Sequence, residues 1–464
     1  MFLEAVHTTG IYCRAECTAT PLPQNVEPYP NAVAAEAAGF RPCLRCRPDR
    51  LPDGTGHSGP PAVEQAIELI SEGFLDRRTE EALATRIGYS TRQLRRIFHQ
   101  SIGASPAFVA RSRRAHFARR LLDESDLPMS AISRAAGFTS TRQMNRVVKE
   151  TFKFTPTELR SKRGKNDRLT IDGGLRLRVP YEGGMDWTAM LNFFGPRATA
   201  GIEKVTDGTY QRLTTTCGYP GIIEVGDHGD GRHLEITAHL ATFNSIVDDV
   251  ARVRRLFGLD DRPPLDLLLA DPDLGPLVRR KPGLRIPGSW NRFETAVRIL
   301  LGQQVSVAAA TTLTGRIVER YGKSFDIGAA DLSRAFPSAA ILAGASFDNI
   351  GMPRSRIEMI REFATAVEEG SIDLYGSGPL DEMTAELEEL PGIGPWTSQL
   401  IALRVLRHDD AFPASDLGLR IAVGRLIGED RPPGARVAEY AERWRPYRAL
   451  AAQYLWTSLH DEEL

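Results

Sequence analysis

Four of the five cysteines fall in two close pairs, Cys13-x3-Cys17 and Cys43-x2-Cys46, with 25 residues between the pairs. Thiolates at these spacings suit a tetrahedral zinc ion bound through Cys13, Cys17, Cys43 and Cys46. Met1–Gly10 lacks the basic-then-apolar layout of a secretory leader. A reducing compartment is therefore expected, in which clustered cysteines serve metal or thiol chemistry rather than disulfides. Spacing alone leaves a redox pair, or a zinc ion that only holds a small fold together, as alternatives. A second group with chemical content lies near the other end. Leu390-Pro391-Gly392-Ile393-Gly394 stands between helical segments, where glycines let backbone amides approach a phosphate with no side chain in the way. Asp416 follows Gly394 by 22 residues. Taken alone, such an aspartate also reads as a helix cap.

Charge supplies a third signal. The formal net charge of −1 hides a division at Arg168, with 26 basic and 18 acidic residues up to that point and 32 and 41 after it. Between Ser90 and Arg120 there are eight arginines and no Asp or Glu. That is the footprint of a phosphate-binding surface, with a solvated helix face as the alternative.

These groups must be positioned by several domains, since 464 residues exceed one ordinary core. Hydrophobic residues make up 42% and charged residues 25%, and no apolar run approaches a membrane span, so no membrane partner is expected. Pro52–Pro61 and Ser161–Arg168 read as linkers. Val63–Arg160 has helical spacing, as in Ile67, Ile70 and Phe74. From Leu169 to about His239 the pattern alternates (Leu175, Leu177, Val179; Ile222, Ile223, Val225; Leu234, Ile236) with glycine-rich turns, which predicts antiparallel strands. Helical spacing returns after about Thr242.

The basic helical segment contains an internal repeat. Thr91-Arg92-Gln93 recurs as Thr141-Arg142-Gln143, and the same offset of 50 relates Arg96 to Arg146 and Ser105-Pro106 to Thr155-Pro156. Each copy reads as helix, glycine turn (Gly88, Gly137), helix. This is helix-turn-helix geometry, in which the second helix enters the major groove of DNA. Arg92, Arg95 and Arg96 fall on the first recognition helix, and Arg142, Asn145 and Arg146 on the second. Arginine reads guanine edges or holds phosphate, and both roles stay open for each residue.

Three resemblances sharpen these readings. Thr8-Thr9-Gly10-Ile11-Tyr12-Cys13-Arg14, Ala38-Gly39-Phe40-Arg41-Pro42-Cys43 and Arg45-Cys46 resemble the zinc domain of the Ada alkylation-response proteins. The resemblance implies that Cys13 takes a methyl group from a methylated DNA phosphate and that Thr9, Arg41 and Arg45 contact the backbone. Ala135-Ala136-Gly137-Phe138-Thr139-Ser140, followed by Phe152-Lys153-Phe154-Thr155-Pro156, is similar to the signature closing AraC-type regulators. Ala296–Ser306, the glycine hairpin, Phe412–Leu417 and Ala441–Arg448 resemble, in order, the AlkA 3-methyladenine-DNA glycosylases. That likeness implies that Asp416 stabilises positive charge on the deoxyribose and helps water attack it. It also implies that Gly392 and Gly394 bind DNA backbone, that Gln304 occupies the place of an intercalating side chain, and that Trp396 and Trp456 line the base pocket. Trp396 stands where bifunctional relatives carry a lysine, so strand cleavage is not expected. Cys217 reads as a small buried residue.

The expected chain is therefore multidomain and mainly α: a small four-cysteine zinc domain (1–52), a bipartite helix-turn-helix (63–163), a strand-rich lobe (169–255) and helix-hairpin-helix helical lobes of an α+β glycosylase (256–464). Its expected function is methyl transfer to Cys13 that activates sequence-specific transcription, together with monofunctional excision of alkylated bases. A glycosylase whose basic half only tethers DNA, and a regulator with a non-catalytic C-terminal lobe, are the alternatives. Zn2+ is the expected cofactor. Double-stranded DNA, alkylated DNA, promoter DNA and RNA polymerase are the expected partners, in a cytoplasmic, nucleoid-associated setting.

Overall fold

A computed structural model describes residues 3–19, 21–48, 59–164, 174–215, 218–244, 246–261, 265–328, 331–376 and 378–460. Most of the Pro52–Pro61 linker, the end of the second linker and Cys217 lie outside the described residues. The chain divides into two compact units. One comprises Met1–Glu182, Thr214–Ile223 and Arg232–Arg252, and the other Gly183–Leu213, Glu224–Gly231 and Val253–Leu464. The strand-rich segment thus contributes to both.

In the first unit, β1 (Leu3–Val6), β2 (Ile11–Arg14), β3 (Val26–Tyr29), α1 (Ala32–Ala37) and β4 (Arg41–Pro42) form a sheet of order β3-β1-β2-β4 with one helix against it. β1 runs antiparallel to β2 and β3, and β4 runs parallel to β2. The core is only Leu3, Ala5, Tyr12, Ala32, Ala35 and Phe40. A core this small does not hold a fold unaided, so the two cysteine pairs carry part of the stability.

Helices α2 (Pro61–Ser71), α3 (Phe74–Arg77), α4 (Glu80–Arg86), α5 (Thr91–Ser101), α6 (Pro106–Glu124), α7 (Met129–Ala135), α8 (Thr141–Phe152) and α9 (Pro156–Ser161) follow. The repeat is real structure: α4–α5 and α7–α8 are the two helix-turn-helix pairs, and the long α6 joins them. Both turns place glycine in left-handed backbone, Gly88 at φ +75° and Gly137 at φ +77°. Ser90 and Ser140 then cap the recognition helices through the backbone N–H of Gln93 and Gln143. Leu94, Phe98, Met144, Val147 and Val148 face inward, which turns the arginines outward. Also in this unit, strand Leu175–Pro180 pairs antiparallel with His233–Leu240, placing Leu177 opposite Ile236 and Val179 opposite Leu234. All four are buried, as the alternation predicted.

In the second unit, strands Glu203–Thr206 and Thr209–Thr214 form a hairpin. Its two turn residues, Asp207 at φ +49° and Gly208 at φ +75°, have the positive angles of a tight primed turn. Part of strand Gly221–Asp227 also belongs to this unit, and the rest is mainly helical and builds two cores. One contains Leu300, Ile317, Phe363 and Ile401, and the other Leu277, Leu403, Val423 and Tyr454. Helix Pro395–Ile401 and its continuation Ala402–Leu406 feed side chains into both. This helix begins at the glycine hairpin, whose Leu390 and Ile393 pack into the first of these cores. Among the described residues no helix is long and apolar enough to cross a membrane.

Candidate metal centre and glycosylase site

β2 ends on Cys13 and Arg14, and a turn closed by the Cys17 N–H on the Arg14 carbonyl (3.0 Å) brings Cys17 back toward it. β4 delivers Cys43, whose N–H bonds the Tyr12 carbonyl at 3.0 Å, and the following turn delivers Cys46. The four sulfurs lie within 4.8 Å of one another. Tetrahedral zinc with bonds of about 2.3 Å requires sulfurs about 3.8 Å apart, so the donor set fits. The thiols themselves call for a cation. Burial, and then the neighbouring Cys43, push Cys13 well above the ordinary thiol range, and burial raises Cys46 to about 11. Burial also raises Cys43, but the backbone N–H groups of Cys46 and Arg45 outweigh it and bring the thiol down. Four sulfurs this close do not all ionise without a compensating charge, which zinc supplies.

Thr9, in the turn between β1 and β2, and Arg45, between Cys43 and Cys46, are exposed. Arg45 donates to Thr18 Oγ1 at 3.4 Å and its own N–H to Cys43 Sγ at 3.4 Å. Arg41 is half-buried, with its guanidinium 5.5 Å from the ring of Phe154 just after the second recognition helix. The zinc segment is tied to the helices by contacts that no local pattern signalled. Tyr12 Oη donates to Glu36 Oε1 (2.8 Å), Ser112 Oγ donates to Glu36 Oε2 (2.6 Å), and His116 Nε2 lies 2.5 Å from Glu36 Oε1. The His116 ring in turn meets Phe152, in α8, edge-on at 5.3 Å. Glu36 sits in an alanine-rich helix, and only tertiary packing makes it buried.

All six recognition-helix residues are exposed: Arg92, Arg95 and Arg96 on α5, and Arg142, Asn145 and Arg146 on α8. Arg95 is held by both oxygens of Glu80, at 2.7 and 3.2 Å, and its five companions turn their side chains to solvent.

In the second unit, Asp416 caps helix Leu417–Ile427 and is half-buried. Its Oδ1 accepts the Leu419 N–H at 3.2 Å. Trp396 Nε1 donates to Oδ2 at 3.0 Å and Trp456 Nε1 donates to Oδ1 at 2.8 Å. Both tryptophans are half-buried, and both turn their N–H edges to the carboxylate. Gly392 is left-handed at φ +83° and lies against Met359, whose sulfur would be 3.0 Å from an added Cβ. Around Gly394 such an atom would meet nothing within 4 Å. Gln303 braces the hairpin by donating to the Gly392 carbonyl (3.0 Å) and Thr397 Oγ1 (2.9 Å). Gln304, next to it, is left-handed at φ +55°, as in a side chain thrust out from a tight turn. Arg404, Gly418 and Phe193 also belong to this neighbourhood and escaped the sequence reading. The one available signal was Arg404, a lone charge in the run Leu400–Leu406.

A carboxylate at a helix N-terminus beside a glycine hairpin, on the same chain as a four-thiol centre and paired helix-turn-helix motifs, defines a zinc-binding, DNA-binding protein with a base-excision site. Comparison with known proteins agrees. Residues 1–49 match the metal binding domain of Ada, 83–162 a helix-turn-helix domain, 176–291 the AlkA N-terminal domain, and 297–446 the HhH-GPD superfamily of base excision DNA repair proteins. The chain is 37% identical over 99% of its length to the "Probable bifunctional transcriptional activator/DNA repair enzyme AlkA" of Mycobacterium tuberculosis, covering 93% of that protein. It is 33% identical over 61% of its length to DNA-3-methyladenine glycosylase 2 of Escherichia coli, covering 95% of it. A 3-methyladenine DNA-glycosylase structure from Archaeoglobus fulgidus shares the fold over 60% of this chain and 97% of that one, with TM-score 0.52 and 24% identity. The chain belongs to the family of bifunctional transcriptional activator/DNA repair enzymes that join an Ada-type zinc domain and a helix-turn-helix domain to an AlkA-type DNA glycosylase.

Proposed function

We propose that the chain excises alkylated bases by hydrolysis at Asp416, and that Cys13 accepts a methyl group from DNA methylphosphotriesters and thereby switches promoter binding. The observation that carries the first half is the carboxylate of Asp416, fixed by two indole N–H groups and one backbone N–H at the mouth of the hairpin. An alkylated purine is cationic and already a good leaving group once it leaves the stack. As its glycosidic bond breaks, the electron pair goes to the base and positive charge develops on the deoxyribose. Asp416 stabilises that charge and orients the water whose oxygen bonds to the sugar carbon as the carboxylate takes up the proton that water loses. The hairpin amides of Gly392 and Gly394 hold the backbone, Gln304 fills the space the base vacates, and Trp396 and Trp456 flank the base.

In the second half, Cys13 Sγ attacks the methyl carbon, the carbon–oxygen bond breaks, and an ordinary phosphodiester anion leaves. Bound zinc keeps the sulfur ionised for this step. Thr9, Arg41 and Arg45 hold the DNA backbone. Alkylation removes one negative charge from the four-sulfur cluster. At about 8 Å from a phosphate and an effective dielectric of about 20, that is worth about 2 kcal/mol, or about thirtyfold in affinity. The helix-turn-helix pair then reads promoter DNA with Arg92, Arg95, Arg96, Arg142, Asn145 and Arg146, and RNA polymerase is the partner recruited on the nucleoid. The working domains are 1–52, 63–163, 169–255 and 256–464.

The test is incubation of the full chain with DNA carrying labelled methyl groups, scoring both label on protein and released base. Cys13→Ser should abolish labelling and spare base release. Asp416→Asn should keep DNA binding and lose at least about a hundredfold in base release, the scale of a lost electrostatic stabiliser. Base release by Asp416→Asn at the normal rate, or labelling of Cys13→Ser, would remove the corresponding half.

A further inference from the structure

Arg404 is buried, 8% exposed, in a stretch of π-helical backbone (Ala402–Leu406) that continues the helix following the hairpin. Its guanidinium donates to the Pro287 carbonyl at 3.2 Å and to Gln453 Oε1 at 3.0 Å. It also lies over the rings of Trp456, at 5.2 Å, and Phe193, at 4.7 Å. Among the described residues it makes no ion pair, and a buried guanidinium without one is costly to keep. Burial, then Arg197 and Arg407, hold it down to about 9, while the Asp416 carboxylate acts in the opposite sense. A charge retained under those conditions needs a reason, and the aromatic ring it covers supplies one. The Trp456 N–H is the donor that reaches Asp416 Oδ1 at 2.8 Å.

The other side of this contact is shaped by a missing side chain. A Cβ on Gly418 would stand 3.0 Å from Trp456 Cδ1, 3.2 Å from its Nε1 and 3.1 Å from Asp416 Oδ1. These separations are tighter than ordinary contact, so any larger residue here pushes the indole and the carboxylate apart.

We infer that Arg404 and Gly418 are positioning residues for base excision: the guanidinium fixes the ring of Trp456, and Gly418 leaves the gap through which its N–H reaches Asp416. Neither touches DNA in this role. The inference rests on Asp416 being the catalytic carboxylate.

The experiment uses the full chain and a duplex containing one N7-methylguanine, with single-turnover excision measured apart from DNA affinity. The indole 15N–1H resonance of Trp456, one of five tryptophans and assigned with Trp456→Phe, reports the contact directly. Arg404→Met should slow excision about a hundredfold, the scale of a small misplacement of a reacting group, with DNA affinity changed by less than about twofold. It should also move the Trp456 resonance. Arg404→Lys, which keeps a cation over the ring, should recover most of the rate and the resonance position. Gly418→Ala should move the same resonance and slow excision with the guanidinium in place, and so decides the matter if Arg404→Met does not fold. Wild-type rate and resonance in Arg404→Met or in Gly418→Ala would overturn the inference while an inactive Asp416→Asn left the underlying reading standing. An active Asp416→Asn would remove both.

Discussion

Trp396 Nε1 stands 3.0 Å from Asp416 Oδ2. Trp396 is the second residue after Gly394, so one hydrogen bond joins the start of the helix after the glycine hairpin to the Asp416 carboxylate. Removing this donor while keeping an aromatic face, as in Trp396→Phe, forfeits a bond to a charged group worth about 1.5–3 kcal/mol. Excision should slow by at least about tenfold with DNA affinity retained. Single-turnover kinetics at saturating enzyme check this, and an unchanged rate would show that the bond does not orient the carboxylate during reaction.

Cys17→Ser should release the metal and melt the zinc segment, because the small core around Tyr12 and Phe40 cannot hold residues 3–48 by itself. Zinc analysis and amide exchange over those residues are the measurements. Full zinc content together with slow exchange in this variant would contradict the four-sulfur site.

The exposed arginines should separate by their salt dependence. Each of Arg92, Arg96, Arg142 and Arg146 that holds a phosphate should, when changed to alanine, lower the slope of log affinity against log salt by about one. One that reads a base edge should instead relax sequence preference at a single position. Arg95 enters with its guanidinium already on Glu80, an exposed pair of little energetic value that DNA can displace.

Glu36 gathers Tyr12, Ser112 and His116 in a buried cluster, and so couples the zinc segment to α6. Glu36→Ala removes the contacts to Tyr12, Ser112 and His116 and should destabilise the first unit by at least about 1–3 kcal/mol. Chelating zinc should lower the unfolding temperature of the helical segment in the native chain and do so much less in Glu36→Ala. Equal responses would show that the two segments unfold independently.

Acid sensitivity should trace partly to Glu203. Burial raises this carboxyl, but Arg298 and Arg212, with the Tyr210 hydroxyl, outweigh it and bring it from 4.5 to about 2. A depressed carboxyl contributes stability that is present above its unfolded value and lost as pH falls toward the folded one. Denaturant unfolding between pH 4.5 and pH 2 should therefore show a loss of stability that is smaller in Glu203→Gln, even though that variant starts less stable because Arg212 and Arg298 lose a charged partner. Parallel stability curves for the two proteins would assign the acid response elsewhere.

Much of this protein was legible in its sequence because the information was local. Cysteine spacing, the fifty-residue repeat, serine caps and left-handed glycines each depend on a few neighbouring residues, and α5, α8 and the hairpin formed where those signals lay. The strand alternation was equally local, and Leu177 and Ile236 became facing core residues. Sequence left Asp416 between helix cap and functional carboxylate; the folded chain makes it the cap of Leu417–Ile427 and adds two indole donors, since Leu419 lies three residues on while Trp396 and Trp456 arrive from helices 20 and 40 residues away. Glu36, Arg404 and Gly418 carried no local mark of their positions. Their burial and their contacts depend on which surfaces meet across long stretches of chain, and that is settled by packing, which fixes a charge against a ring, or an empty space beside one, only once the elements have closed on each other.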